Sequence, residues 1–137
     1  LKAYKNMNAY KLFVLDVGLL GAMSELPAES ILEGNDIFVE FKGALTEQYV
    51  LQQLISDTPY TPYYYGNEKA TFEQDFLVQK AKSIVPIEVK AEQNIRSHSL
   101  KTYCEKFQPE EAVRFSTLKY KEQEWMVNIP LYAVCNL

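Results

Sequence analysis

Two extended runs, Phe72–Gln79 and Ser83–Lys90, joined by a polar link at Lys80–Lys82, constrain the fold of this chain more than any other stretch. An antiparallel hairpin centred between Ala81 and Lys82 sets Phe76 against Ile87, Val78 against Val85 and Asp75 against Glu88. Strand side chains alternate between faces. Phe76, Val78, Val85, Ile87 and Val89 therefore share an apolar side, and Asp75, Glu88 and Lys90 share the other. A slip of one residue would mix the two sets, so the register is strongly specified.

The charged side carries the chemistry. Two carboxylates opposed at about 5 Å repel by roughly 3 kcal/mol at an effective dielectric near 20. Lys90 supplies one compensating charge, and a divalent cation would supply the rest. Oxygen donors beside a lysine suit Mg²⁺ or Mn²⁺ better than zinc. A solvated strand face neutralised by Lys90 satisfies the same pattern without a metal.

A chain of 137 residues, 47% hydrophobic and 13% aromatic, is long and apolar enough for one domain with a real core. Its net charge of −4 gives no overall attraction to nucleic acid, so any basic groove must be local. No apolar run is long enough to span a membrane and no signal-peptide pattern is present. Cys104 and Cys135 form neither a disulfide framework nor a metal spacing, and a reducing cytoplasm is expected. The start at Leu1, running almost at once into patterned sequence, reads as a piece of a longer protein.

Around the hairpin the pattern predicts further elements. Lys11–Asp16 reads as a short apolar strand, Val17–Met23 as a helical turn, and Pro27–Asp36 as loop or short helix with a turn at Gly34-Asn35-Asp36. Gly43–Ile55 reads as a helix burying Gly43, Ala44, Val50, Leu51, Leu54 and Ile55, with Glu47 in the middle of that stripe and Gln48 and Gln52 towards the other side. An inward carboxylate is costly unless paired or ligated, so Glu47 is aimed at a polar partner, a lysine included. Thr61–Gly66 is an aromatic strand that completes a three-stranded meander with the hairpin. Ser97–Phe107 follows as a helix N-capped by Ser97, with Leu100, Tyr103, Cys104 and Phe107 on one face. Ala112–Ser116 is then a strand parallel to the Glu88 strand, Lys119–Glu124 a charged turn, and Trp125–Val134 an edge strand or a strand followed by a short helix.

The order helix with inward Glu, strand, strand with Asp, strand with Glu-x-Lys, helix, strand resembles the αβββαβ core of the PD-(D/E)XK nuclease superfamily. KLFVLDVGLL, GALTEQYVLQQL, YYYG, EQDFLV, IVPIEVKAEQN, SHSLKTY and IPLYAV, from about Tyr10 to Val134, look like the C-terminal nuclease-like domain of unknown function that follows the ATPase core in prokaryotic AAA-type ATP-binding proteins. The resemblance implies an α/β restriction-endonuclease-like fold, a mixed central sheet flanked by helices. It implies a core over 40–117, an N-terminal extension over about 1–36 and a C-terminal extension over 118–137, all one domain. Gln74 stands where the superfamily carries Pro before its Asp.

By the same resemblance the activity is Mg²⁺-dependent (or Mn²⁺-dependent) hydrolysis of DNA phosphodiesters. Asp75, Glu88 and the backbone carbonyl of Val89 would hold the metal. Lys90 would orient the attacking water, and Glu47 would add a second metal or a metal-bound water. Gln93, Arg96, Ser97 and Lys101 are candidates for substrate phosphates by position alone; His98 reads as an ordinary surface histidine. Three other classes of function stay open: a catalytically silent DNA-binding or regulatory module for its ATPase core, an oligomerisation or protein-partner module with Tyr60, Tyr63, Tyr64, Tyr65 and Trp125 as contacts, and action on a phosphate ester that is not nucleic acid. None of the five glycines belongs to a phosphate-binding G-x-x-x-x-G-K-[ST] loop. A calorimetric ATP titration of this chain is therefore expected to give no binding heat.

Overall fold

The computed structural model describes every residue except 28, 30–35, 67–71 and 92–96, and the backbone alone over 36–40. The expected turn at Gly34-Asn35-Asp36 lies almost wholly outside the described residues. Among the described residues, three helices, α1 (Val17–Met23), α2 (Asp36–Asp57) and α3 (His98–Phe107), accompany six strands. The strands are β1 (Tyr63–Tyr65), β2 (Gln74–Lys80), β3 (Ser83–Lys90), β4 (Val113–Ser116), β5 (Lys121–Glu122) and β6 (Val127–Pro130), followed by a 3₁₀ segment at Leu131–Asn136. The fold is α+β, a six-stranded mixed sheet ordered β1-β2-β3-β4-β6-β5 and flanked by helices. β1, β2 and β3 form an antiparallel meander, β3, β4 and β6 run parallel, and β5 closes the far edge antiparallel to β6.

The central hairpin has the register its hydrophobic pattern demands, with Phe76↔Ile87, Val78↔Val85 and Lys80↔Ser83 paired. The two-residue link takes Ala81 into the left-handed region at φ 51. The apolar face of the sheet, Phe76, Val78, Val85, Ile87, Val113, Phe115 and Ile129, packs against Val50 and Leu54 of α2 and Val134 of the 3₁₀ segment. The opposite face receives α3: Tyr103 packs with Phe72 and Leu77, and Leu100 with Ala112 and Met126. Fully burying side chains of this size contributes about 1.5–3 kcal/mol each.

Three expectations are corrected. Helix α2 is longer than the predicted Gly43–Ile55, and its buried arc is narrower: Gly43 and Ala44 are exposed, as is Ile55 at 63%. Gln48, expected away from the core, is buried. Lys11–Asp16 does not form a strand.

The last two corrections share one cause. Residues 11–17 lie along α2 as a strap whose backbone is satisfied by helix side chains instead of a neighbouring strand. Val14 N–H donates to Gln48 Oε1 (3.1 Å), Gln48 Nε2 donates to the Val14 carbonyl (2.9 Å), and Val17 N–H donates to Gln52 Oε1 (3.2 Å). Inward and outward side chains are mixed along the strap without strict alternation. Lys11 reaches Glu47 and Phe13 packs against Phe76, with ring centroids 6.0 Å apart, while Tyr10, Leu12 and Leu15 point outward. Asp16 then caps α1 by accepting Leu19 N–H. β6 is shielded from the edge by β5, which lets Pro130 end a nearly buried strand beside Ser116.

Because Gln48 answers both backbone groups of Val14, its removal leaves a part-buried donor and acceptor unpaired. Gln48→Ala is expected to lower stability by about 2 kcal/mol in urea denaturation, with faster amide exchange at Val14.

Candidate active site

Asp75 sits where the hairpin opens. The β2–β3 ladder stops at Phe76↔Ile87, one residue short of an Asp75–Glu88 pair. Beyond that point side chains replace backbone bonds. Asp75 Oδ2 accepts Val89 N–H at 2.8 Å, and Gln74 Nε2 donates to the Ile87 carbonyl at 2.9 Å. Gln74 is fully buried and thus holds the fork from inside. Its Oε1 has no hydrogen-bond partner.

Among the described residues the Val89 amide is the one hydrogen-bond donor to Asp75. Burial pushes its carboxyl up to about 6, opposed by the Val89 amide; the Glu47 charge raises it further, the Lys11 ammonium pulls it down, and Glu88 adds a smaller upward push. Helix α2 therefore does bring Glu47 into electrostatic reach of Asp75. Glu47 itself is paired with Lys11, Nζ to Oε1 at 2.6 Å, the lysine partner that the sequence left open.

Glu88 is in a different situation. It is buried, its Oε1 lies 2.6 Å from Lys90 Nζ, and its Oε2 accepts Leu100 N–H at 2.9 Å. Leu100 is the third residue of α3, so Glu88 caps that helix from the neighbouring strand, where a carboxylate also meets the positive end of the helix dipole. The parallel register sets Arg114 of β4 directly beside Glu88. Burial lowers the Arg114 guanidinium and the Glu88 charge raises it. Arg114 Nε donates to Asn128 Oδ1 (2.8 Å), which also accepts the Ser116 hydroxyl (2.7 Å).

The candidate residues thus divide into two groups along the fork. Glu47, Asp75 and Lys11 form one, and Glu88, Lys90 and the α3 N-terminus the other. Among the described residues, no three acidic, histidine or cysteine side chains stand close enough together to hold a metal ion. Of the phosphate candidates, Ser97 is buried at the cap position of α3, but its hydroxyl makes no cap bond and instead accepts from Arg114 (3.3 Å). Lys101 is exposed and His98 opens α3 on the surface, while Gln93 and Arg96 lie outside the described residues.

Lys11 and Arg114 were not singled out in the sequence, and Gln74 stood out there only as a departure from the resembled pattern. Arg114 carried a signal: it is a charged residue inside an otherwise buried strand, at the position that parallel alignment sets against Glu88. Lys11 carried none, because its partner lies 36 residues away across an irregular segment.

A family model described as a domain of unknown function (DUF4143) matches residues 42–133, about two thirds of the chain. The chain belongs to the DUF4143 family. The matched span includes Glu47, Asp75, Glu88, Lys90 and Arg114 and leaves out the strap with Lys11. Comparisons with curated proteins and with solved structures gave no match. No helix among the described residues of this DUF4143 chain is long and apolar enough to cross a membrane.

A carboxyl whose folded value lies above its unfolded one binds a proton in the fold before it does in the open chain. Its contribution therefore favours the fold at low pH and is lost as pH rises from about 4 to about 6, by at most about 3 kcal/mol for a shift of this size. Asp75→Asn retains an oxygen for the Val89 amide and removes that titration. The variant is expected to be more stable than wild type at pH 7.5, with the difference vanishing near pH 4 in parallel denaturation curves.

Proposed function

We propose that this domain is a metal-dependent phosphodiesterase of the PD-(D/E)XK type acting on DNA. The observation that carries the reading is the fork itself: Asp75 bound to the amide of Val89, between Glu88 and Lys90 on β3 and within the field of Glu47 on α2. The element order α2-β1-β2-β3-α3-β4 supports it, since it puts these residues on the helix and strands that the superfamily pattern uses.

The donor set fits a hard divalent cation in kind. Asp75 Oδ1 has no donor among the described residues, Gln74 Oε1 is a buried oxygen without a partner, and Glu47 is held by Lys11 alone. Carboxylate, amide and carbonyl oxygens are the ligands Mg²⁺ and Mn²⁺ prefer. Asp75 and Glu47, with the Val89 carbonyl, would hold the ion; Glu88, whose two oxygens are taken by Lys90 and the Leu100 amide, would join only by releasing one of them. When bound, it would lower the pKa of a coordinated water and offset charge on the phosphate. Asp75 must be ionised to bind, which its raised value makes harder at acid pH. Lys90 holds a positive charge on the open side of β3, where it would orient the water and meet the developing negative charge. Glu88 keeps Lys90 and α3 in place through its two oxygens.

A second reading is a catalytically silent module that binds DNA or a protein partner. Glu88 favours it, because Lys90 and the Leu100 amide already satisfy that carboxylate without a metal. A run of exposed apolar side chains, Tyr4, Met7, Tyr10, Leu12, Leu15 and Met23, favours a protein surface, and an ATPase core in a longer chain is the partner we propose for it.

Mn²⁺ calorimetry and cleavage of single-stranded, nicked and branched DNA separate the readings. Metal-dependent cleavage is expected in wild type, reduced by at least about a hundredfold in Asp75→Ala and Lys90→Ala. DNA binding with a steep salt dependence and no cleavage would support the silent module instead.

A further inference from the structure

Six of the chain's ten tyrosines line one groove of about 660 Å³, between the segment 4–11 and the edge strand β1. Tyr4 and Tyr10 present their rings at 93% and 70% exposure, and the Tyr64 ring centroid lies 5.9 Å from the Lys11 ammonium. Tyr65 serves as wall, since it stacks on Phe72 and meets Tyr103 edge-on. Leu12, Leu15 and Met23, exposed like Tyr4 and Tyr10, lie outside the groove.

Charge marks the groove off from the rest of the surface. The chain carries 18 acidic and 14 basic residues, yet among the described residues the lining holds Lys5 and Lys11 and no Asp or Glu. Lys106 adds a third ammonium, 5.1 Å from the ring centroid of Phe107 in the groove wall. Lys11 is answered by Glu47, but Lys5 and Lys106 have no ion pair among the described residues. The result is a local basic patch on an acidic chain, interleaved with aromatic faces. Bases stack on such rings while phosphates meet the lysines. A duplex hides its base faces, so only an unpaired strand can use both. A peptide strand is the poorer occupant: β1 offers three residues with a register shift between Tyr63 and Tyr65, and a short, irregular edge is a weak template for strand addition. We propose that this groove binds single-stranded DNA, stacking unpaired bases on Tyr4, Tyr10 and Tyr64. Lys11 belongs to both the groove and the fork, so a strand bound there reaches the Glu47 side of the fork. The inference rests on the DNA reading above and names the form of that DNA; it needs no metal.

Fluorescence anisotropy of a labelled mixed-sequence single strand and of its duplex, titrated with this chain in EDTA, tests the groove without cleavage. The single strand is expected to bind at least about tenfold more tightly than the duplex. Tyr10→Ala is expected to weaken that binding about fivefold or more, and Tyr10→Phe to resemble wild type, because the ring carries the stacking. Lys5→Gln is expected to flatten the slope of log affinity against log salt by about 0.7. Equal affinity for single strand and duplex, or no change in Tyr4→Ala and Tyr10→Ala, overturns the groove and leaves the DNA reading standing. Binding of neither form also overturns it, and the cleavage assay above then decides the DNA reading separately. Photocrosslinking of a bromodeoxyuridine-containing strand, read by mass spectrometry, locates the contact in wild-type protein. Crosslinks are expected within 4–11 and 63–65, and crosslinks confined to other segments overturn the proposal.

Discussion

The hydrogen bond from the Val89 amide to the Asp75 carboxylate is the interaction on which the arrangement of this domain turns. An antiparallel pair left to itself continues its ladder until a chain bends away. Here the ladder is ended by side chains: Asp75 takes the amide of Val89, and Gln74 supplies a donor to the carbonyl of Ile87. One amide and one carbonyl freed by the opening are answered in this way, as buried backbone groups require. The strands can then diverge, with β3 continuing beside β4 and the end of β2 remaining against β1. An open fork between the strands results, with a carboxylate at its apex.

Charge is distributed unevenly across that fork. Glu88 has Lys90 on one oxygen and the first turn of α3 on the other, and Arg114 lies beside it on β4. It is a buried anion with its charge answered, and a buried anion is tolerated on those terms alone. Asp75 has one amide, a neighbouring glutamate and little water, and its raised value expresses that shortage. The asymmetry gives the two acids different work. Glu88 holds β3, Lys90 and α3 together, and Asp75 is left with unused capacity for a cation or a proton.

Most of the fold is legible in the sequence because the hairpin's hydrophobic alternation admits one register, and the register fixes which face meets α2 and which meets α3. Strand β4 parallel to β3, the helical turn Val17–Met23, and the terminal strand followed by a 3₁₀ segment all follow from local patterning of the same kind. The strap is where this reasoning fails. Lys11–Asp16 has the nearly continuous apolar run of a short strand, and such a run cannot tell whether a neighbouring strand or a glutamine side chain will satisfy the backbone. Gln48 and Gln52 look like solvent-facing helix residues until the strap covers them.

The identities of Glu47, Asp75, Glu88 and Lys90, and their division among a helix and two strands, are properties of the sequence, because spacing and alternation determine which side chains share a face. How each is partnered was decided by tertiary structure alone. Lys11 pairs with Glu47, the α3 amide with Glu88 and the Val89 amide with Asp75 only once segments distant in the chain are packed together. The physical reason is that alternation acts over one or two residues, whereas burial and charge compensation depend on every element that closes around a site.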